Sequence, residues 1–344
     1  MPLPLSTRLR CVFFALGAAA ASPAMAAPNV VADIAPVHGL VSMVMQGVGT
    51  PTLLVPPSAS PHHISLRPSD ARALQGAAVV VTIGEELAPW LEKPLQSLGE
   101  KAQIITLLDL PGTTLHMVRD TESFGAAEEE HDHEHEHKHK DEHNHAHENE
   151  SGHKDDHDSH DSHDHHAGDG HDHSGLDPHA WLDPQNAALW LGAIAQTLAQ
   201  IDPENAATYQ ANATAGAQEL AQMQAELASA LPKGRSDYLV FHDAYQYFEA
   251  RFGLQPAGAI SLSDAASPSA GRLAALKAQI EDSDIACVFT EPQLNSAVLN
   301  ALDNTSLRIT EIDPLGRAHA TGPGHYTATL RAIGQAFANC FANE

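Results

Sequence analysis

Sixteen of the chain's 24 histidines fall in one stretch, HDHEHEHKHKDEHNHAHENESGHKDDHDSHDSHDHHAGDGHDH, residues 131–173. Neutral imidazole is a strong ligand for zinc, copper, nickel and iron, and carboxylates are secondary ligands for the same ions. The composition therefore reads as metal capture, with His131, His133, His135, His137, His139, His143, His145 and His147 as auxiliary low-affinity ligands. A pH-responsive polyelectrolyte would share this composition. An expression tag would not be internal, irregular and mixed with acids. Core formation is excluded, because the only apolar side chains in 128–173 are Ala146 and Ala167. A solvated insertion, about 126–174, is expected.

A second set of polar residues is spread along the chain. After the apolar run TLLV comes SPHHISLRPSD, with His62 and His63. DYLVF runs into His242, LRITEI runs into Asp313, and GLDPHAWLDP, directly after the acidic tract, supplies His179. In open α/β sheets ligands bind beyond the carboxyl ends of strands, and three nitrogens with one oxygen make a tetrahedral zinc shell. Each residue alone is weak evidence. A lone histidine at a strand end is more often a hydrogen-bonded structural group, and His38, His116, His319 and His325 are assigned to that class. Asp313 before Pro314 is equally a turn former, and Asp243 a helix cap.

The elements that must hold these residues alternate in type. VVADI (30–34), TLLV (52–55), VVVTI (79–83) and QIITLL (103–108) read as strands, with helical patterns between them. The alternation resumes with DYLVF (237–241), a helix ending at Gly253, IACVFT (285–290), a helix from Leu294, and LRITEI (307–312). Such βαβ alternation implies mainly parallel sheets. Between the halves, DPENAATYQANATAGAQELAQMQAELASALP has Asp202 as a cap, Pro203 at the first helical position and strong helix formers beyond. The expected fold is α/β: two similar lobes with mainly parallel sheets, joined by a long rigid α-helix, with a metal site in the interlobe cleft. The expected boundaries are 27–201 for the first lobe with its insertion, 202–231 for the connecting helix and 232–344 for the second lobe.

The net charge of −26 is concentrated in the tract, where 17 acids against three lysines contribute −14. That balance argues against nucleic acid and anionic membranes as partners, and suits cations. At the N-terminus, Arg8 and Arg10 precede CVFFALGAAAA and then Ala24-Met25-Ala26. This is the pattern of a secretory signal peptide, residues 1–26, and the apolar run is too short to span a membrane. Cleavage after Ala26 would leave an exported, periplasmic protein with two cysteines, Cys287 and Cys340, in an oxidising space. A disulfide between them is expected.

SPHHISLRPSD, PHAWLDPQNA, FHDAYQYFEARFGL, CVFTEPQ and IDPLG together resemble the zinc-specific, ZnuA-like solute-binding proteins of bacterial ABC importers. The resemblance runs over nearly the whole mature chain. It implies two α/β lobes, a connecting helix and a Zn2+ ion bound in the cleft as cargo, delivered to a membrane permease by a monomeric protein. It places ligands at His62, His179 and His242, where manganese-specific relatives have glutamate in place of the last. Some zinc members carry a glutamate directly before the first histidine; here that position is Pro61, which leaves the fourth ligand between Asp313 and water, with Asp313 chosen. His63 is then a candidate gate or handover ligand, and Glu86 matches an acidic residue near the cleft mouth. The resemblance also pairs Cys287 with Cys340.

Two other functions compete with zinc delivery. Three histidines and an open position also describe a catalytic zinc, so an exported zinc hydrolase is one alternative. HExxH occurs only inside the low-complexity tract, at 133–137 and 135–139, away from the proposed ligands, beside which Glu291 is the candidate base. A metal buffer, in which the His-rich tract is the whole function, is the other.

Overall fold

The computed structural model describes residues 26–119, 175–261, 269–282, 285–292 and 307–342. The signal peptide except its last residue, the His-rich tract with its auxiliary histidines, and the helix expected from Leu294 lie outside the described residues.

The first half runs β1 (Val30–Ala32), α1 (Ala35–Val44), β2 (Thr52–Leu53), α2 (Pro68–Gln75), β3 (Val79–Thr82), α3 (Glu92–Leu98) and β4 (Gln103–Thr106). Two helices follow, α4 (Pro184–Ile201) and α5 (Ala206–Ala230). The second half runs β5 (Tyr238–His242), α6 (Gln246–Phe252), β6 (Gly258–Ser261), α7 (Ala270–Asp282), β7 (Cys287–Thr290), β8 (Arg308–Glu311) and α8 (His325–Phe341). All strand pairs in the two sheets are parallel, in the orders β2-β1-β3-β4 and β6-β5-β7-β8. The two lobes thus repeat one topology, and each sheet reverses its strand order once, at β1/β3 and at β5/β7. Sequence reading had missed β6, and had not set out α4 and α7 as helices.

The central strands are apolar on both faces, as parallel strands covered by helices must be. Val30, Ala32, Val79 and Val81 from the first sheet, and Tyr238, Val240, Cys287 and Phe289 from the second, belong to one central cluster of buried side chains. Their alternate neighbours, Val31 and Val80 in one lobe and Leu239, Phe241 and Val288 in the other, enter two separate outer cores. Side-chain alternation along each strand therefore splits the interior into one shared core and two private ones.

Helices α1, α4, α5 and α8 contribute to the shared core. The buried residues of α5 are Tyr209, Ala213, Gly216, Leu220, Met223 and Leu227, a four-three spacing that keeps one face turned inward over about 38 Å of helix. Two glycines set how closely the helices approach. A Cβ at Gly216 would stand 2.9 Å from Leu191 Cδ1 on α4, and one at Gly334 of α8 would collide with Leu227 of α5. The start of α5 differs from expectation. Pro203 opens a 3-10 turn, Pro203–Asn205, and the Asp202 carboxylate accepts from Asn205 Nδ2 and Tyr209 Oη, both at 2.8 Å, rather than capping the helix. Those bonds tie the first turn through side chains, beside the Asn205 N–H bond to Asp202 O at 3.2 Å.

Cys287 on β7 and Cys340 on α8 are joined by a disulfide, with Cα atoms 6.3 Å apart. The bridge fastens the last helix to the second sheet.

Candidate metal centre

His242 is the last residue of β5, at the point where the second sheet reverses its order. Its Nδ1 faces Glu291 Oε1 at 2.7 Å, and Glu291 follows β7 directly. Both side chains are buried. His179 precedes the 3-10 turn Ala180–Leu182 that leads into α4. Its Nδ1 faces Asp177 Oδ1 at 2.7 Å, and the same oxygen accepts from the His179 backbone N–H at 3.0 Å. Carboxylates at both Nδ1 atoms place the protons there and leave both Nε2 lone pairs directed elsewhere. Those two Nε2 atoms face each other at 3.3 Å.

Two acceptor nitrogens in contact repel unless something positive lies between them. Two nitrogens on one tetrahedral zinc, each about 2.05 Å from the ion, stand about 3.3 Å apart. The pair is therefore spaced as two ligands of one ion. The third imidazole stands further off. His62 lies in the loop between β2 and α2, with its ring centroid 5.8 Å from that of His179, against 5.1 Å between His179 and His242. Among the described residues no three His, Cys, Asp or Glu side chains are already drawn together as a complete metal cage. Two nitrogens are in position, and His62 stands beside them.

Trp90 Nε1 donates to Pro61 O in the His62 loop at 2.7 Å. Asp313 sits in the loop after β8, where its two oxygens accept from the backbone N–H groups of Leu315 and Arg317. Its loop is pinned from three sides. Trp181 Nε1 donates to Pro314 O at 2.9 Å, His325 Nε2 meets Leu315 O at 2.9 Å, and Gly316 lies against Thr329 where no Cβ would fit. Trp181 in turn packs its ring 5.2 Å from His179. The structure thus brings His179 and His242 into contact, sets His62 beside them, and gives the Asp313 carboxylate partners within its own loop.

His63 is exposed. Glu86 is also exposed, and lines a cavity of about 410 Å3 with Glu85, Glu92 and Asp109 at the end of β3 and β4. His38 meets Pro51 O at 3.1 Å, and burial holds its ring below the usual imidazole pKa. His116 packs on Tyr247, and His319 on His325. Glu291, considered from sequence as a candidate base, is instead occupied by His242. Sequence reading missed Asp177 as the partner of His179, although it stands two residues earlier in DPH.

The ends of the chain flanking 120–174 meet next to this centre. Val118 N–H donates to Gly175 O at 3.0 Å and Asp177 N–H to His116 O at 2.9 Å, around a Met117–Leu176 bridge. Arg119 then pairs with Asp243, the neighbour of His242, and with Glu249 Oε2 at 2.9 Å. Burial pushes the Glu249 carboxyl up to about 7, against the pull of the Arg119 guanidinium it shares with Asp243. Tyr247 Oη bridges the same strap, accepting from His116 N–H and donating to Asp177 O. The tract therefore leaves and re-enters the protein at one stem, clamped across the two lobes.

Two parallel α/β lobes, with strand ends facing a common crevice and imidazoles from both halves meeting in it, define a solute-binding protein of the metal-binding class. The family model described as ZnuA, zinc-uptake complex component A periplasmic, matches residues 30–340. The chain belongs to that family. It is 47% identical over 336 residues to the high-affinity zinc uptake system protein ZnuA of Paracoccus denitrificans (strain Pd 1222), covering 96% of this chain and 97% of that one. It is 42% identical over 316 residues to the protein of the same name from Brucella suis biovar 1 (strain 1330), covering 91% and 92%. A crystal structure of ZnuA shares the fold with a TM-score of 0.67 at 21% identity, covering 91% of this chain and 98% of the other.

Proposed function

We propose that this protein captures Zn2+ in the periplasm, in the crevice between its lobes, and delivers it as cargo to the membrane permease of an ABC importer. His62, His179 and His242 are the nitrogen ligands, and Asp313 the fourth. The observation that carries this reading is the facing pair of Nε2 atoms, 3.3 Å apart, each ring held from behind by a carboxylate. Nitrogen at position 242 favours zinc over manganese, which takes oxygen-rich, higher-coordinate shells. An ion entering between His179 and His242 draws in His62 from its loop, while the Trp90 bond to Pro61 limits how far that loop travels.

Residues 1–26 serve as the export signal, and the mature protein acts as a monomer. No helix among the described residues is long and apolar enough to cross a membrane. The family is a transport component, and the occupation of Glu291 by His242 speaks against its service as a hydrolytic base. Competition titration of the mature protein against a chromophoric chelator tests the reading: one tight zinc site is expected, with manganese bound far more weakly. Manganese bound as tightly as zinc, or no tight site, would sink it.

A further inference from the structure

Each imidazole of the facing pair has a carboxylate behind it, and the two carboxylates come from different places. Glu291 belongs to the same lobe as His242. Asp177 lies on the strap that re-enters from the tract, and its backbone is pinned on both sides. Its N–H donates to His116 O at 2.9 Å, and its carbonyl accepts from Tyr247 Oη at 2.8 Å. Its side chain spends Oδ1 on His179, on Nδ1 at 2.7 Å and on the backbone N–H at 3.0 Å. That leaves Oδ2, and a group of the second lobe occupies it. The Gln246 amide has oxygens on one side and donors on the other, which fixes its orientation. Its nitrogen points at Asp177 Oδ2 and at Met117 O, each at 3.1 Å.

Gln246 opens α6, four residues after His242. Residues 242–245 are buried, and Ala244 N–H closes a turn on His242 O at 2.9 Å. The segment is a short, enclosed span with an imidazole at one end and an amide at the other. We propose that Gln246 is a positioning residue for the bound ion: it holds the carboxylate that holds His179, so that residues 242–246 supply one ligand and aim the second. A carboxylate bonded through one oxygen alone turns about its Cβ–Cγ bond and carries the imidazole with it. With both oxygens engaged it does not turn, and His179 Nε2 stays 3.3 Å from His242 Nε2, the spacing of two ligands on one ion. Because the Asp177 backbone has partners of its own, loss of the amide frees the side chain and leaves the strap in place. This inference rests on the assignment of His179 and His242 as ligands.

The test uses the mature protein, with zinc as the probe in chelator competition. Gln246→Met keeps the length of the side chain and removes the donor; Gln246→Ala removes both. Either should weaken zinc binding roughly three- to tenfold, less than the roughly ten- to hundredfold expected for Asp177→Ala, which removes the carboxylate itself. In the Asp177→Ala background Gln246→Met should cost nothing further, because its route is gone. A spectroscopic reading comes from ion-free protein labelled in its histidine ring nitrogens, the His179 signals being identified by their loss in His179→Ala. Gln246→Met should move those signals. A glutamine that only fastens the strap, through Met117 O, would lower affinity equally with or without Asp177 and leave the His179 signals as in the parent. Parental affinity in both Gln246 variants, a further loss in the Asp177→Ala background, or unmoved His179 signals would overturn the proposal. If His179→Ala binds zinc as tightly as the parent, the site assignment itself falls, and the proposal with it; if only the Gln246 changes are silent, the assignment stands and the proposal alone is lost.

Discussion

At the reversal of strand order in the first sheet stands Asp33, just beyond β1; at the matching place in the second stands His242, at the end of β5. Both are buried. The Asp33 carboxylate is consumed inside its own lobe, accepting from Ile34 N–H at 2.7 Å, Ile83 N–H at 2.7 Å and Thr82 Oγ1 at 3.0 Å. His242 gives one nitrogen to its lobe, through Glu291, and turns the other outward to His179. In one lobe this position is a structural staple between β1 and β3; in the other it is half staple and, on the proposed function, half ligand. A residue with two distinct polar ends can serve structure and cargo at once. A carboxylate spent on three donors cannot, and the first lobe supplies its imidazoles from loops instead.

The sharpest way to break this comparison is to remove each residue in turn. His242→Ala should weaken zinc binding by at least a thousandfold, about 4 kcal/mol, because water is a poor substitute for an imidazole held in place. Asp33→Ala should leave zinc affinity within about threefold. Chelator competition measures both, and similar losses from the two changes would erase the contrast.

A second asymmetry is covalent. Among the described residues only the second lobe carries a disulfide, Cys287–Cys340, closing a separation of 53 residues. Its reduction should lower stability by up to about 4 kcal/mol in the chain-entropy account, seen as a lower Tm in calorimetry, with the tight zinc stoichiometry unchanged. If both cysteines of freshly purified periplasmic protein react with an alkylating agent without reductant, the lobes lose this difference.

The staple itself is the next target. Asp33→Ala strands three donors and should cost about 3 kcal/mol in denaturant unfolding. Burial raises the Asp33 carboxyl from 3.8 to about 6, despite its hydrogen bonds. The folded protein therefore keeps this proton longer than the unfolded chain does, so its contribution to stability is greatest below pH 4 and declines as pH rises from about 4 to 6. Asp33→Asn should flatten that segment of the stability curve. An unchanged slope would mean that other carboxyls, Glu249 among them, set it.

The smallest effect belongs to the tract. Because the chain leaves and returns at one stem, replacing 128–173 by a short linker should reduce the total number of zinc ions bound yet change the tight affinity by no more than about threefold. Calorimetric titration showing no tight site in the shortened protein would make the tract part of the centre.

Much of this architecture was legible. Apolar runs such as VVADI and DYLVF are long enough to read as buried parallel strands, and the polar residues after them stood out by position. The sheet edge β6, GAIS, was not, because four residues opening on a glycine carry no period. The candidate histidines could be picked out by position and by resemblance, but the carboxylates that stand behind two of them could not. Asp177 and Glu291 acquire their roles only from which ring nitrogen they face, and Glu291 lies 49 residues beyond its histidine, just after β7.

The shared core has a consequence for how a membrane partner tells a loaded carrier from an empty one. Both lobes press their inner faces into the same cluster, with α1, α4, α5 and α8 interlocked at Gly216 and Gly334. Swinging the lobes apart would open that interior to water, so full and empty forms are expected to keep nearly the same outline. Recognition of cargo must then rest on something local. On the proposed site, the loop carrying His62, tied by Trp90 at Pro61, is expected to differ between the two forms. A transporter that selects loaded carriers reads the message there, in the posture of one loop.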